Sequence, residues 1–195
     1  MRRCLVILLL FFAGPADADP WRFSQLGDRP GAFSLGLIAG VAGHELGHIV
    51  VAKAGGINVE FDGLTIVYPD DDLSDQQQLR VASAGFQAQW IFSEFALRYR
   101  DNHEMTPAGD NFNAGLVWAH LGITAAYLTV LKNNNDGDIE GMSQATGISN
   151  DQLALMIAIP AALDAWRLMG TNVPSWVPTV SLSIKTIGIV AIWAF

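Results

Sequence analysis

Residues 31–52 read GAFSLGLIAGVAGHELGHIVVA, and their only ionisable side chains are His44, Glu45 and His48. At about 1.5 Å per residue a helix of this run reaches roughly 33 Å, enough to cross the hydrocarbon core of a bilayer. Ionisable groups in such a segment are costly to bury and by default mark a functional site. His44-Glu45-Leu46-Gly47-His48 is an H-E-x-x-H motif. Residues four apart share a helix face, so both imidazoles can grip one metal ion, while Glu45, one residue round, can reach a water at that metal. Zinc held by neutral nitrogen donors lowers the pKa of water to about 7, and a nearby glutamate can take the proton for attack on a carbonyl. A five-residue match can also arise by chance on a core helix. Its setting in a membrane-length run favours the metal.

Outward from the motif, Gly36, Gly40, Gly43 and Gly47 have the small-residue spacing that lets neighbouring helices approach closely, and Lys53 with Gly55-Gly56 ends the run. Upstream, Met1–Ala18 reads as a secretory signal peptide, with Arg2 and Arg3, an apolar core at Cys4–Ala13 and an Ala16-Asp17-Ala18 cleavage site. An uncleaved anchor would leave Asp19 on the same, periplasmic side. Residues 19–30, with Trp21 and Phe23, read as a periplasmic or interfacial segment, and residues 31–195 as one membrane domain. The only cysteine, Cys4, leaves with the signal, so a metal has to be held by His, Asp or Glu.

Composition agrees. Hydrophobic residues make up 51% of the 195 and charged ones 15%, which suits a small membrane protein. A net charge of −8 excludes nucleic acid as a partner, since no basic stripe exists to neutralise phosphates.

Downstream, INVEFDGLTIVY (57–68) has two β-branched and aromatic runs flanking Asp62-Gly63, a hairpin signal, and residues 70–79 form a polar loop. A second helix is expected over 80–99. Gln87, Gln89 and Glu94 require part of it to face protein. Residues 114–131 are apolar save His120, and Lys132–Asp138 reads as a helix stop. Ser149-Asn150-Asp151-Gln152 is a capping box opening a helix to Met169, which either spans or lies in the interface. Trp176–Phe195 is a last apolar helix with Lys185 inside. The expected fold is an all-α membrane protein, a bundle of four to five transmembrane helices with one small β-hairpin.

With Asp19 periplasmic, the first span runs inward, the second returns and the third runs inward again, placing the motif near the cytoplasmic face of a bacterial inner membrane. The basic residues do not support this orientation: Lys53, Arg80 and Lys132 fall inside, and Arg22, Arg29, Arg98 and Arg100 outside.

A catalytic zinc site needs a third protein ligand. Asp136 is the candidate, because it follows the third span near the end of His48's helix and Gly137 lets the backbone turn its carboxylate inward. Asp138 and Glu140 compete, as does His120, which is expected to lie deeper than the motif. Glu94 is expected near the opposite face, and His103 in a loop. An EF-hand reading fails, because with Gly137 as the loop glycine Lys132 falls where the first Asp belongs. Ligand type favours zinc, although iron or cobalt could fill the same site.

In this order the motifs resemble the site-2 proteases, the zinc intramembrane metalloproteases. HELGH at 44–48 sits in the first core span, Ala82–Gln89 (ASAGFQAQ) is similar to the family's A-x-A-G-P-x-A-N, and Asp136-Gly137 is similar to its L-D-G. Phe86 and Gln89 stand at that pattern's proline and asparagine. In the family's N-x-x-P-x-x-x-L-D-G, Leu128 stands at the asparagine, Leu131 at the proline and Asn135 at the leucine. The resemblance implies zinc on His44, His48 and Asp136, Glu45 as catalytic base, and single-span membrane proteins or signal-peptide remnants as substrates of regulated intramembrane proteolysis. Two other readings stay open: a catalytically weak relative that binds metal or membrane partners, and a secreted soluble HExxH metalloprotease.

Overall fold

The computed structural model describes residues 18–62, 65–69 and 73–195. The signal read at Met1–Ala18 lies, apart from Ala18, outside the described residues, as does Gly63 of the hairpin turn.

After a 3-10 turn at Phe23–Asp28 come α1 (Pro30–Ala54), β1 (Glu60–Asp62), β2 (Thr65–Val67), α2 (Asp75–Asn102), α3 (Pro107–Ala126) with a π-helical turn at Tyr127–Leu131, α4 (Asp138–Thr146), α5 (Asn150–Met169) and α6 (Trp176–Ala194). The strands pair antiparallel with Phe61 opposite Ile66. Local chemistry explains the boundaries. Pro30 and Pro107 open α1 and α3, where a missing N–H costs nothing. Ser149 accepts from the Gln152 N–H as the capping box requires. A second box, Ser74 with Gln77, starts α2 at Asp75, five residues before the expected Arg80, so much of the polar loop 70–79 is helix.

α1 and α3 run parallel in close contact: Gly36 abuts the backbone of Phe112 and Gly115, and Gly40 abuts Leu116 and Ala119. α2 runs antiparallel to both, with Gly47 against Ala84 and Ala88, and Gly43 against Phe92. α2 begins at the end of the bundle where α6 finishes, Arg80 donating to the Trp193 carbonyl at 2.8 Å. It ends where the chain enters, Arg100 donating to the Asp19 carbonyl at 3.0 Å. α5 joins the same two ends: Asn150 donates to the Lys132 carbonyl at 2.8 Å, and the Leu168 carbonyl accepts from Trp21 N–H at 2.8 Å. α5 therefore runs the length of the bundle rather than along its edge.

Four helices, α1, α3 through Leu131, α5 and α6, are long and apolar enough to cross a membrane. Their outward positions carry Leu35, Ile38, Val50, Leu155 and Ile187, each more than half exposed. Such exposed side chains suit a lipid surface. α2 is too polar to qualify, because it turns Gln87, Gln89, Ser93 and Glu94 into the interior. One apolar cluster, around Phe86, Trp90, Ile139 and Ile157, fills the end of the bundle near α4. Another, around Trp21, Leu97, Val117 and Leu168, fills the opposite end. Elsewhere in the interior Lys185, Asp164, Arg167 and Glu94 form a charged group spanning α2, α5 and α6.

Candidate metal centre

His44 and His48 lie one turn apart on α1, each about 95% buried, on the face that packs against α2. Gly85 of α2 makes this possible: a β-carbon there would overlap the His44 ring, within 2.5 Å of its Nδ1 and Nε2. His48 Nδ1 donates to the Val81 carbonyl at 2.7 Å. That bond fixes the proton on Nδ1 and leaves the Nε2 lone pair directed into the site.

The structure brings Asp138, not Asp136, to the histidines. His44 Nε2 lies 3.0 Å and His48 Nε2 3.4 Å from Asp138 Oδ2, and the two Nε2 atoms are 3.3 Å apart. Asp136 is exposed and lines the same cleft outside that triangle. The physical reason is α4. Gly137 caps it in extended conformation after a turn closed by its own N–H on the Asn134 carbonyl, so Asp138 is the first helical residue. The fully buried Ile139 then anchors the helix start against the core. Burial pushes the Asp138 carboxyl up, but the close approach of the His44 and His48 rings outweighs it and holds the group well below the usual carboxylate range. Tyr127 lines the same cleft beside Asp138, its ring 6.4 Å from that of His44, a neighbour that sequence reasoning missed.

Of the other candidates, Glu140 bonds to Asn150 and Gln144, away from the triangle. Glu94 pairs with Arg98, Arg167 and Lys185. His103 is an exposed residue bonded to the Tyr99 carbonyl. His120 is buried beside Asp164. Glu45 is exposed and faces a cleft of about 240 Å³ with His44, His48 and Asp138, walled by Ile66 and Tyr68 on one side and by Tyr127 and Leu131 on another. Burial pushes the Tyr68 phenol up to about 12, with the Asp138 and Glu45 carboxylates adding to the effect, so it remains a hydrogen-bond donor at the cleft.

Two imidazole nitrogens and a carboxylate oxygen, all electron-rich, converge on one point, and only a proton or a metal ion between them relieves the repulsion. A tetrahedral ion with bonds of about 2.0–2.1 Å holds its ligands about 3.3 Å apart. The observed separations of 3.0–3.4 Å fit, and three protein donors would leave one ligand place of a four-coordinate ion unfilled by the protein. Among the described residues, His44, His48 and Asp138 are the group able to hold a metal.

No family model matches the chain, and neither the curated proteins nor the solved structures contain a significant match to it.

Proposed function

We propose that this chain is a zinc-dependent intramembrane endopeptidase of the site-2 protease kind, cutting membrane-spanning substrates or signal-peptide remnants. The observation that carries the reading is the convergence of His44, His48 and Asp138 on one point beside a cleft that Glu45 faces. His44, His48 and Asp138 hold the metal. When bound, zinc there supplies a Lewis acid that polarises a carbonyl and lowers the pKa of water to about 7. Glu45 takes the proton from the attacking water and returns it to the leaving nitrogen. Tyr68, kept protonated, donates to the oxygen on which negative charge develops. The chain sits in the bacterial inner membrane with the cleft toward the cytoplasm, and four long apolar helices support the membrane setting.

The test is Glu45→Gln, assayed on a co-expressed single-span substrate with a helix-weakened segment near the cytoplasmic face. Glutamine keeps the shape and can still bond a water, but it cannot accept the proton. Cleavage should fall by roughly 10²- to 10⁴-fold with zinc content unchanged. Undiminished cleavage with metal present would move the chemistry elsewhere.

A further inference from the structure

We infer that His120, backed by Asp164, is a positioning residue for the metal ligand His44, acting through an internal water held between α1, α2 and α3. The inference rests on the metal reading above and names what supports that site from behind.

Ten buried side-chain polar atoms among the described residues have no hydrogen-bond partner in the protein, and six of them belong to His44, Gln89, His120 and Thr124. These are Nδ1 of His44, both amide atoms of Gln89, both ring nitrogens of His120 and Oγ1 of Thr124. The four residues lie within about one helical turn of a common level in the bundle. Gly36 lies against Phe112 and Gly115, and Gly40 against Leu116 and Ala119, so one more turn along these parallel helices sets His44 level with His120 and Ile123. Thr124 follows His120 by one turn on the same face of α3, and Gln89 follows Gly85, which touches the His44 ring, by one turn on α2. His120 thus lies within about half a turn of the level of His44, and His44, Asp164 and Lys185 bear on it electrostatically.

Buried polar groups left unpaired are costly, and a concentration of them from three helices is what an ordered water satisfies. The metal site adds the direction. A ligating histidine donates its second N–H to a carboxylate, a carbonyl or a water, which fixes the ring and raises its basicity. His48 does this to Val81, while His44 has no such partner in the protein. Asp164 lies beside His120, with Oδ2 3.8 Å from His120 Nε2. Ser181 at 2.7 Å and Lys185 at 2.7 and 2.8 Å hold it in place, so its charge bears on His120 from a fixed position.

The experiment measures zinc affinity by chelator competition on the purified full chain in detergent, with wild type beside His120→Leu, His120→Gln and Thr124→Val. His120→Leu should weaken zinc binding by about 10- to 100-fold, the usual effect of removing an outer-shell partner. His120→Gln, which can still bond a water, should stay within about threefold of wild type on the same account. If leucine prevents folding, Thr124→Val carries the test and should also weaken binding. Equal affinity in wild type, His120→Leu and Thr124→Val overturns the inference alone. Equal loss in the leucine and glutamine variants overturns it too, since packing rather than hydrogen bonding would then be at work. A wild-type chain that binds no zinc defeats the metal reading, and the inference with it.

Discussion

Gly85 and His44 are in direct contact across the α1–α2 interface, with no room between them for even a methyl group. The ring of His44 is thereby pinned against α2 on one side while Phe86 and Tyr127 close on it, their ring centroids 5.5 and 6.4 Å away. Gly85→Ala is expected to displace the imidazole from the ligand triangle. Overpacking of this kind costs about 1–3 kcal/mol, and the neighbour that must move is the proposed ligand ring rather than a flexible chain end. Zinc affinity should fall by about an order of magnitude. Gly188→Ala, which meets only the far edge of Trp90, is the comparison and should leave zinc affinity alone. Equal affinities for Gly85→Ala and wild type would mean that the contact does not position His44.

Asp138→Ala should lower metal occupancy far more than Asp136→Ala, measured by metal analysis of the purified variants. Removing Asp138 leaves two histidines in an open site, whereas Asp136 lies outside the ligand triangle. Greater loss in Asp136→Ala would restore the assignment drawn from its place after the third span and from the D-G resemblance.

The histidine pair was legible because its signal is local: two residues four apart on one apolar helix. Asp138 was not, because the choice between two carboxylates depends on where α4 begins. The sequence does carry a trace of α4. Ile139, Met142 and Ala145 recur at helical spacing after the acidic Asp138, and Gly147 closes the segment in a left-handed conformation with φ of 71°. The Asn-rich run before it, Asn133–Asn135, reads as loop and masks that short pattern. The hairpin was legible from Asp62-Gly63 and its flanking strands, and α1, α5 and α6 from apolar length and caps. Lys185, Asp164, Arg167 and Glu94 each stood out in apolar surroundings, yet their pairing joins residues up to 91 apart in sequence, which no local pattern reports.

Reporters fused near Asn102 and after Phe195 should fall on opposite sides of the membrane, the first periplasmic and the second cytoplasmic. Asn102 ends α2 beside the segment that enters the bundle, while the end of α6 meets Arg80 at the other extremity. Alkaline phosphatase and fluorescent-protein fusions read the two sides. The same side for both would contradict the end-to-end course of α5 and α6, and a cytoplasmic reporter at Asn102 would invert the placement of the cleft.

Lys185→Met should destabilise the chain more than any single change at its exposed apolar positions. Lys185 Nζ contacts Asp164 at 2.7 and 2.8 Å, Glu94 at 3.1 Å and Ser93 at 3.2 Å, in the interior of the bundle. Arg167 shares Glu94 at 2.7 Å but approaches Asp164 only to 3.9 Å, so without the lysine Asp164 keeps Ser181 as its close partner and little positive charge. Removing one member of a buried charged set typically costs about 3–5 kcal/mol, because the remaining charge stays desolvated. Thermal unfolding in detergent should therefore shift down sharply in Lys185→Met and recover in part in Lys185→Met/Asp164→Asn, which removes the stranded charge. Ile187→Ala, on the exposed face of the same helix, should change the midpoint little. No recovery in the double variant would show that the lysine acts through packing of its stem rather than through its charge.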